Sequence, residues 1–185
     1  MYDEVMFDAA EHQRDQTVVL ADDSGRPAGT ADKATMHTTR TPLHLAVSCY
    51  VFRESGEVLV TRRALSKKTW PGVWTNSFCG HPAAGEGNEN AVHRRARQEL
   101  GLELSEVRLL LPDFRYRSTD ASGIVENEIC PVFSAVTAQE PAPNPDEVAE
   151  WRWVQLDDFA SAVSSAPWAF SPWTVLQLPQ LKTLI

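Results

Sequence analysis

One segment constrains this chain more than any other: residues 80–102, GHPAAGEGNENAVHRRARQELGL. Gly and Pro punctuate its opening, which reads as a turn. From Asn88 to about Leu100 the pattern becomes helical, with Asn88 as N-cap, Glu89 in the first turn and Gly101 as the C′ residue that stops it. Arg95 and Glu99 are four apart and share a face, and Val92 and Ala96 share the neighbouring one. Taken alone this is a surface helix with an Arg–Glu pair. What sets it apart is the spacing of its polar and glycine residues: Gly80, five residues, Glu86, seven residues, Arg94, then Glu99, Gly101 and Leu102.

The rest of the chain supplies strands. Thr17–Ala21, residues 43–52 and Glu57–Arg63 are strand-like, the last two joined by a short Gly-bearing hairpin connection. Residues 22–29 read as turn. Past the central helix, residues 106–111, 123–135 and 150–156 read as strands and residues 139–146 as a Pro-rich loop. Residues 157–164 read as a helix, and a last short helix follows PWAFSPW at 167–173. Strands outnumber helices without alternating regularly with them, which predicts an α/β (α+β) chain, a mixed sheet flanked by helices. No repeat or linker divides it. Residues 1–15, acidic and aperiodic, are expected to be a flexible leader, and residues 16–185 a single domain.

With 185 residues, 43% hydrophobic and 23% charged, the chain can bury a core, which excludes wholesale disorder. A net charge of −8 argues against a nucleic-acid or membrane-surface binder, yet leaves room for an anionic small molecule in a local basic pocket. Three cysteines imply no disulfide framework, no apolar run is long enough to cross a bilayer, and the N-terminus lacks an apolar signal core. These features fit a cytoplasmic protein acting as a monomer or weak dimer.

Of five histidines, His12 and His93 read as ordinary surface or core residues. His37 falls in a loop, His44 at a strand start, and His81 just past Cys79-Gly80. Glu126 and Glu128, two apart on a strand, point to one face, either as a solvent-facing acidic edge or as a working pair. Three histidines with two carboxylates would form a mixed N/O site suited to Mn²⁺ or Mg²⁺, and less to Zn²⁺. Cys49 and Cys130 read as inert buried thiols, whereas Cys79 lies in a Gly/His/Pro turn.

The frame of residues 80–102 resembles the Nudix box, a loop–helix–loop that binds a divalent metal holding a diphosphate. It departs from hydrolytic members at Arg95 and Gln98, where they carry acids, and only Glu99 of that cluster remains. A hydrolase needs several carboxylates to hold metals and activate water, so hydrolysis reads as disabled and diphosphate binding as kept. The chain further resembles the type I isopentenyl diphosphate isomerases of the Nudix superfamily, over about three quarters of its length. HLAVS (44–48), TRRALSKKTWPGVWTNSFCGHP (61–82), PDFRYR (112–117), SGIVENEICPVF (122–133) and PWAFSPW (167–173) carry the match.

The resemblance implies a Nudix-type mixed sheet sandwiched between helices, and interconversion of isopentenyl and dimethylallyl diphosphate in isoprenoid biosynthesis. His37, His44, His81, Glu126 and Glu128 would be metal ligands. Cys79 would be the catalytic thiol, and Glu128 the catalytic carboxylate with Tyr116 hydrogen-bonded beside it. Lys33, Arg63, Lys67 and Arg95 would bind the diphosphate, Glu99 its Mg²⁺, and Trp173 would form an aromatic wall by the hydrocarbon. Segments 70–74 and 168–173 are candidate lids, although Trp70, Trp74, Trp151, Trp153 and Trp168 equally suit ordinary packing. The rival readings are a Nudix hydrolase of nucleoside diphosphates and a non-catalytic metal-stabilised binding module.

Overall fold

The computed structural model describes residues 17–185, so the expected leader lies outside the described residues. The chain opens as an antiparallel hairpin of β1 (Thr17–Ala21) and β2 (Pro27–Asp32), then makes one helical turn, α1 (Lys33–Met36), capped by the Asp32 carboxylate. Next come β3 (His44–Leu45), β4 (Val47–Phe52), β5 (Glu57–Arg63), β6 (Trp74–Thr75) and β7 (Phe78–Gly80). Helix α2 (Asn88–Leu100) leads to β8 (Ser105–Leu111), β9 (Arg115–Thr119), β10 (Val125–Ile129), β11 (Val132–Val136) and β12 (Val148–Gln155). The chain ends with α3 (Leu156–Ser165), a 3₁₀ turn over Pro167–Ala169, and α4 (Pro172–Leu181).

The strands form two sheets, ordered β2-β1-β3-β10-β9 and β12-β5-β4-β11-β8, with β6 attached to β5 and β7 to β4. Two runs expected as single strands, 43–52 and 123–135, each cross from one sheet to the other. The breaks fall at Ala46 and at Cys130-Pro131, where proline has no N–H to give a ladder. The crossings run side by side, because β3 pairs with β10 and β4 with β11, both in parallel. Ala46 N–H donates to Ile129 C=O at 2.9 Å and Ser48 N–H to Pro131 C=O at 3.0 Å, which stitches the seam. The site lies along it.

Alternation in the seven-stranded sheet builds two cores. Val47, Cys49, Val51, Leu59, Phe133 and Ala135 pack toward Ala91, Val92, Ala96 and Leu100 of α2. Tyr50, Val58, Val60 and Val132 pack on the opposite side with Phe159 and Val163 of α3 and Leu178 and Leu181 of α4. Each large side chain so buried contributes about 1.5–3 kcal/mol. The expected mixed sheet between helices therefore holds, with a second, smaller sheet added.

The N-cap of helix α2 falls one residue earlier than expected. Gly87, not Asn88, is the N-cap and offers no side chain, while Glu86 secures the loop by accepting from Ala83 N–H at 2.7 Å. At the other end Gly101 stops the helix at φ 65°, a left-handed conformation that glycine adopts at least cost. The helix also buries Arg94, Arg95 and Glu99, so it offers an apolar face to the sheet and a charged one to the site.

Candidate active site

The seam delivers the first group of functional side chains. His44 leaves β3, Glu126 and Glu128 leave one face of β10 as their two-residue spacing requires, His37 follows α1, and His81 follows β7. The three imidazole centroids lie 5.2–5.9 Å apart. His37 Nε2 is 3.2 Å from Glu126 Oε2, and His44 and His81 Nε2 are 3.4 and 3.6 Å from Glu128 Oε1. All these residues are buried or nearly so, yet His37 Nε2, His44 Nε2, both His81 nitrogens and Glu126 Oε2 have no hydrogen-bond partner among the described residues. Buried polar atoms left this way would be costly without a further partner.

Surrounding groups aim the donors inward. His44 Nδ1 lies 2.9 Å from the Pro42 carbonyl, which fixes its proton there and leaves the Nε2 lone pair facing the cluster. Thr69 donates to Glu126 Oε1 at 2.8 Å, leaving Oε2 toward the histidines. Burial holds the His81 pKa down at about 3, against the pull of Glu128, so its imidazole is neutral. Burial would raise the Glu128 carboxyl, but the adjacent His44 and His81 imidazoles outweigh this and hold it well below the usual carboxylate range. A neutral His81 imidazole, an ionised Glu128 carboxylate and converging orphaned donors suit a divalent cation.

A cavity of about 300 Å³ opens beside this cluster. It is lined by Lys33, Arg63, Lys67, Arg95, Cys79, Tyr116, Glu126, Glu128 and Trp173, so it gathers the expected cations, thiol, carboxylates and aromatic wall. Arg95 reaches it because position 80 is glycine: a Cβ there would lie 2.6 Å from Arg95 Cγ and 2.7 Å from Nε. Arg95 binds Glu99 at 2.6 Å and Glu147 at 3.2 Å, and Lys67 pairs with Glu147. Glu99 does not line the main cavity but an adjoining recess, with Lys67, Cys79 and Glu147. Burial, the largest effect on Glu99, raises its carboxyl despite Arg95.

Cys79 lies in β7, paired with Ser48 of β4, not in the turn expected for it. Its sulfur is 3.4 Å from Ser48 Oγ and 3.5 Å from Asn76 Oδ1. Cys130 is fully buried, as expected, and its thiol is pushed up by burial and by its contact with Cys79. Tyr116 stands opposite Glu128 in the β9–β10 register, so both side chains leave on one face. The expected hydrogen bond between them is absent among the described residues. Burial raises the Tyr116 hydroxyl further, and it stays protonated.

Trp173, 3% exposed, is edge-on to Trp70 at 5.6 Å and 5.8 Å from Tyr116, with the Arg63 guanidinium 5.3 Å from its centroid. The two candidate lids are tied to each other: Ser171 N–H donates to Trp74 C=O at 2.9 Å, and Trp74 bridges to Phe170. Trp168 is 84% exposed and contributes no wall.

Thr69, Asn76 and Glu147 were not singled out in the sequence. Glu147 is one acid among 25 and follows a loop with no periodicity, so only its placement between Lys67 and Arg95 reveals it. Burial raises its carboxyl, but Lys67 and Arg95 outweigh that and set its pKa at about 2. Because the folded value lies below the unfolded one, this stabilisation is present above about pH 4.5 and is lost as pH falls toward 2. Unfolding free energies of Glu147→Gln should therefore vary less with pH across that window than those of the parent. Equal slopes would contradict the assignment.

No helix among the described residues is long and apolar enough to cross a membrane. A model of the NUDIX domain matches residues 42–175, a span that begins after Lys33 and His37. The isopentenyl-diphosphate Delta-isomerase of Clavibacter michiganensis subsp. michiganensis is 63% identical over 169 residues, covering 91% of this chain and 87% of that protein. That of Citrobacter koseri is 55% identical over 160 residues, covering 86% and 88%. A crystal structure from Deinococcus radiodurans has a TM-score of 0.70 at 19% identity, covering 89% of this chain and 98% of that one. A MutT NUDIX hydrolase from Burkholderia pseudomallei has a TM-score of 0.58 at 26% identity, covering 75% and 97%. These two likenesses carry the fold and not the chemistry.

Proposed function

The chain belongs to the NUDIX family, and from its 55–63% identity to isopentenyl-diphosphate Delta-isomerases over most of its length we propose that it is one, interconverting isopentenyl and dimethylallyl diphosphate. One observation carries the reading over hydrolysis: a thiol, Cys79, and a carboxylate, Glu128, line a single cavity whose box helix contributes a guanidinium, Arg95, in place of an acid. Hydrolysis would need carboxylates at Arg95 and Gln98 to hold metals and activate water. Here Gln98 is occupied accepting from Arg94 and Arg95 at 3.1 and 3.3 Å.

The residues divide the task. Lys33, Arg63, Lys67 and Arg95 supply the positive charge that grips the diphosphate, and this remote binding energy orients the hydrocarbon. His37, His44, His81, Glu126 and Glu128 would hold one divalent cation and Glu99 the Mg²⁺ of the diphosphate. When bound, these ions supply Lewis-acid charge that neutralises carboxylate and phosphate oxygens.

Between Cys79 and Glu128, one group gives a proton to the terminal alkene carbon, whose C=C electron pair forms the new C–H bond. This leaves a tertiary cation. The other group takes a proton from the adjacent methylene carbon, and that C–H pair becomes the new double bond. The roles exchange when the reaction runs backward. Neither group can serve both carbons from its own side. The Trp173 face stabilises the cation by about 1–2 kcal/mol once desolvated, and the Trp70, Tyr116 and Trp173 rings exclude the water that would capture it.

The test is a product assay. Purified protein with isopentenyl diphosphate and Mg²⁺ should yield dimethylallyl diphosphate without released phosphate. Phosphate release from nucleoside diphosphates instead would favour the hydrolase reading.

A further inference from the structure

We propose that Asn76, which does not line the cavity, is a positioning residue for this reaction, one side-chain amide holding the Cys79 thiol and the Trp173 indole in register. The inference rests on the isomerase reading. Asn76 sits in the two-residue link between β6 and β7 and is fully buried. Its Nδ2 donates to the Cys49 carbonyl at 2.8 Å and the Phe78 carbonyl at 2.9 Å, groups that can only accept. That fixes which end of the amide is nitrogen.

The opposite end, Oδ1, accepts from Thr75 Oγ1–H at 2.9 Å, shares the Trp173 Nε1–H (3.0 Å) with Thr75 Oγ1 (2.9 Å), and lies 3.5 Å from the Cys79 sulfur. The thiol's other neighbour, Ser48 Oγ, lies 3.0 Å from Asn76 Nδ2, where it shares one of the two amide protons with a carbonyl, and it donates to Gln177 Oε1 at 3.1 Å. One amide therefore touches the indole, the thiol and the hydroxyl that backs the thiol. Those carbonyls belong to β4 and β7, so the amide refers all three groups to the backbone seam beneath the site.

The arrangement matters for chemistry because proton transfer to carbon depends steeply on donor–acceptor placement. A misplacement of about 1 Å can cost on the order of 100-fold in rate. Asn76 lines neither the cavity nor the adjoining recess where the diphosphate cations stand, so ground-state binding should not depend on it.

The test combines Asn76→Ala, Trp173→Phe and the double variant, with kcat, KM and the affinity for inorganic pyrophosphate plus Mg²⁺ measured per folded molecule. Asn76→Ala should lose about 100-fold in kcat with KM and pyrophosphate affinity within about 3-fold of the parent. Trp173→Phe keeps a ring but loses the N–H, and should cost about 10-fold; the double variant should fall little further than Asn76→Ala, since both act through one contact. A purely structural asparagine would lower stability and leave kcat per folded molecule unchanged. Unchanged kcat, or strictly multiplicative losses, overturns the proposal. Should Asn76→Ala fail to fold, Asn76→Ser, whose single hydroxyl can serve only one side of the array, takes its place under the same criteria. If the parent protein itself does not isomerise, the isomerase reading fails. If the parent turns over and the Asn76 variants keep pace, only this inference does.

Discussion

Cys79→Ala is expected to lower isomerisation by at least about 10³-fold while the fold, metal content and diphosphate affinity survive. Proton donor and acceptor act on different carbons, and Glu128 across the cavity cannot reach both. The side chain is small and partly exposed, so its loss opens little space in the core. Cys79→Ser should rescue little, because a hydroxyl is a far weaker acid than a thiol near neutral pH. Steady-state turnover, circular dichroism and pyrophosphate binding check this together. Substantial turnover in Cys79→Ala would remove the thiol from the chemistry and leave only the diphosphate-binding part of the account.

His81→Ala is the second large effect. It removes one of three converging imidazoles, both of whose nitrogens lack a hydrogen-bond partner among the described residues, so metal affinity should fall by roughly 10–100-fold or more. Activity should fall with it, while pyrophosphate affinity in excess Mg²⁺ should persist, since the cations lie on other elements. Elemental analysis after dialysis reads the first effect directly, and full occupancy in the variant would exclude His81 from the ligand set. Metal affinity of the parent should also weaken on acidification, because an imidazole must be neutral to ligate.

Short apolar runs made part of the fold legible: Thr17–Ala21 and Glu57–Arg63 have the expected boundaries. They misled where a run continued through a change of sheet, at Ala46 and Pro131, because an apolar run records which residues are buried and not which partner buries them. Strand β2 carries no strand signal, and its first three residues read as the end of a turn: PAGTAD is an exposed edge strand with almost no core face. Strand β9, with alternating Arg115 and Arg117 exposed, was missed for the same lack of an apolar signal.

The site divides along a similar line. Residues with unusual chemistry at fixed spacing, such as Gly80, Arg95, Glu126 and Glu128, could be picked out, and family resemblance gave them roles that the cavity groups together. Asn76, Thr69 and Glu147 could not, because ordinary polar residues acquire meaning only from what the fold sets against them. Cys79 was singled out but assigned to a turn, since a three-residue strand that ends in glycine carries no pattern.

The central claim is that a proton enters at one carbon from a protein group and another leaves at the neighbouring carbon. Turnover of isopentenyl diphosphate in heavy water, with the product read by mass spectrometry and NMR, tests it most directly. The account predicts one solvent deuterium in the newly formed methyl group at first turnover, and none in the Cys79→Ala reaction. Dimethylallyl diphosphate formed by the parent without solvent deuterium would mean an internal hydrogen shift, and would contradict the opposed thiol–carboxylate pair.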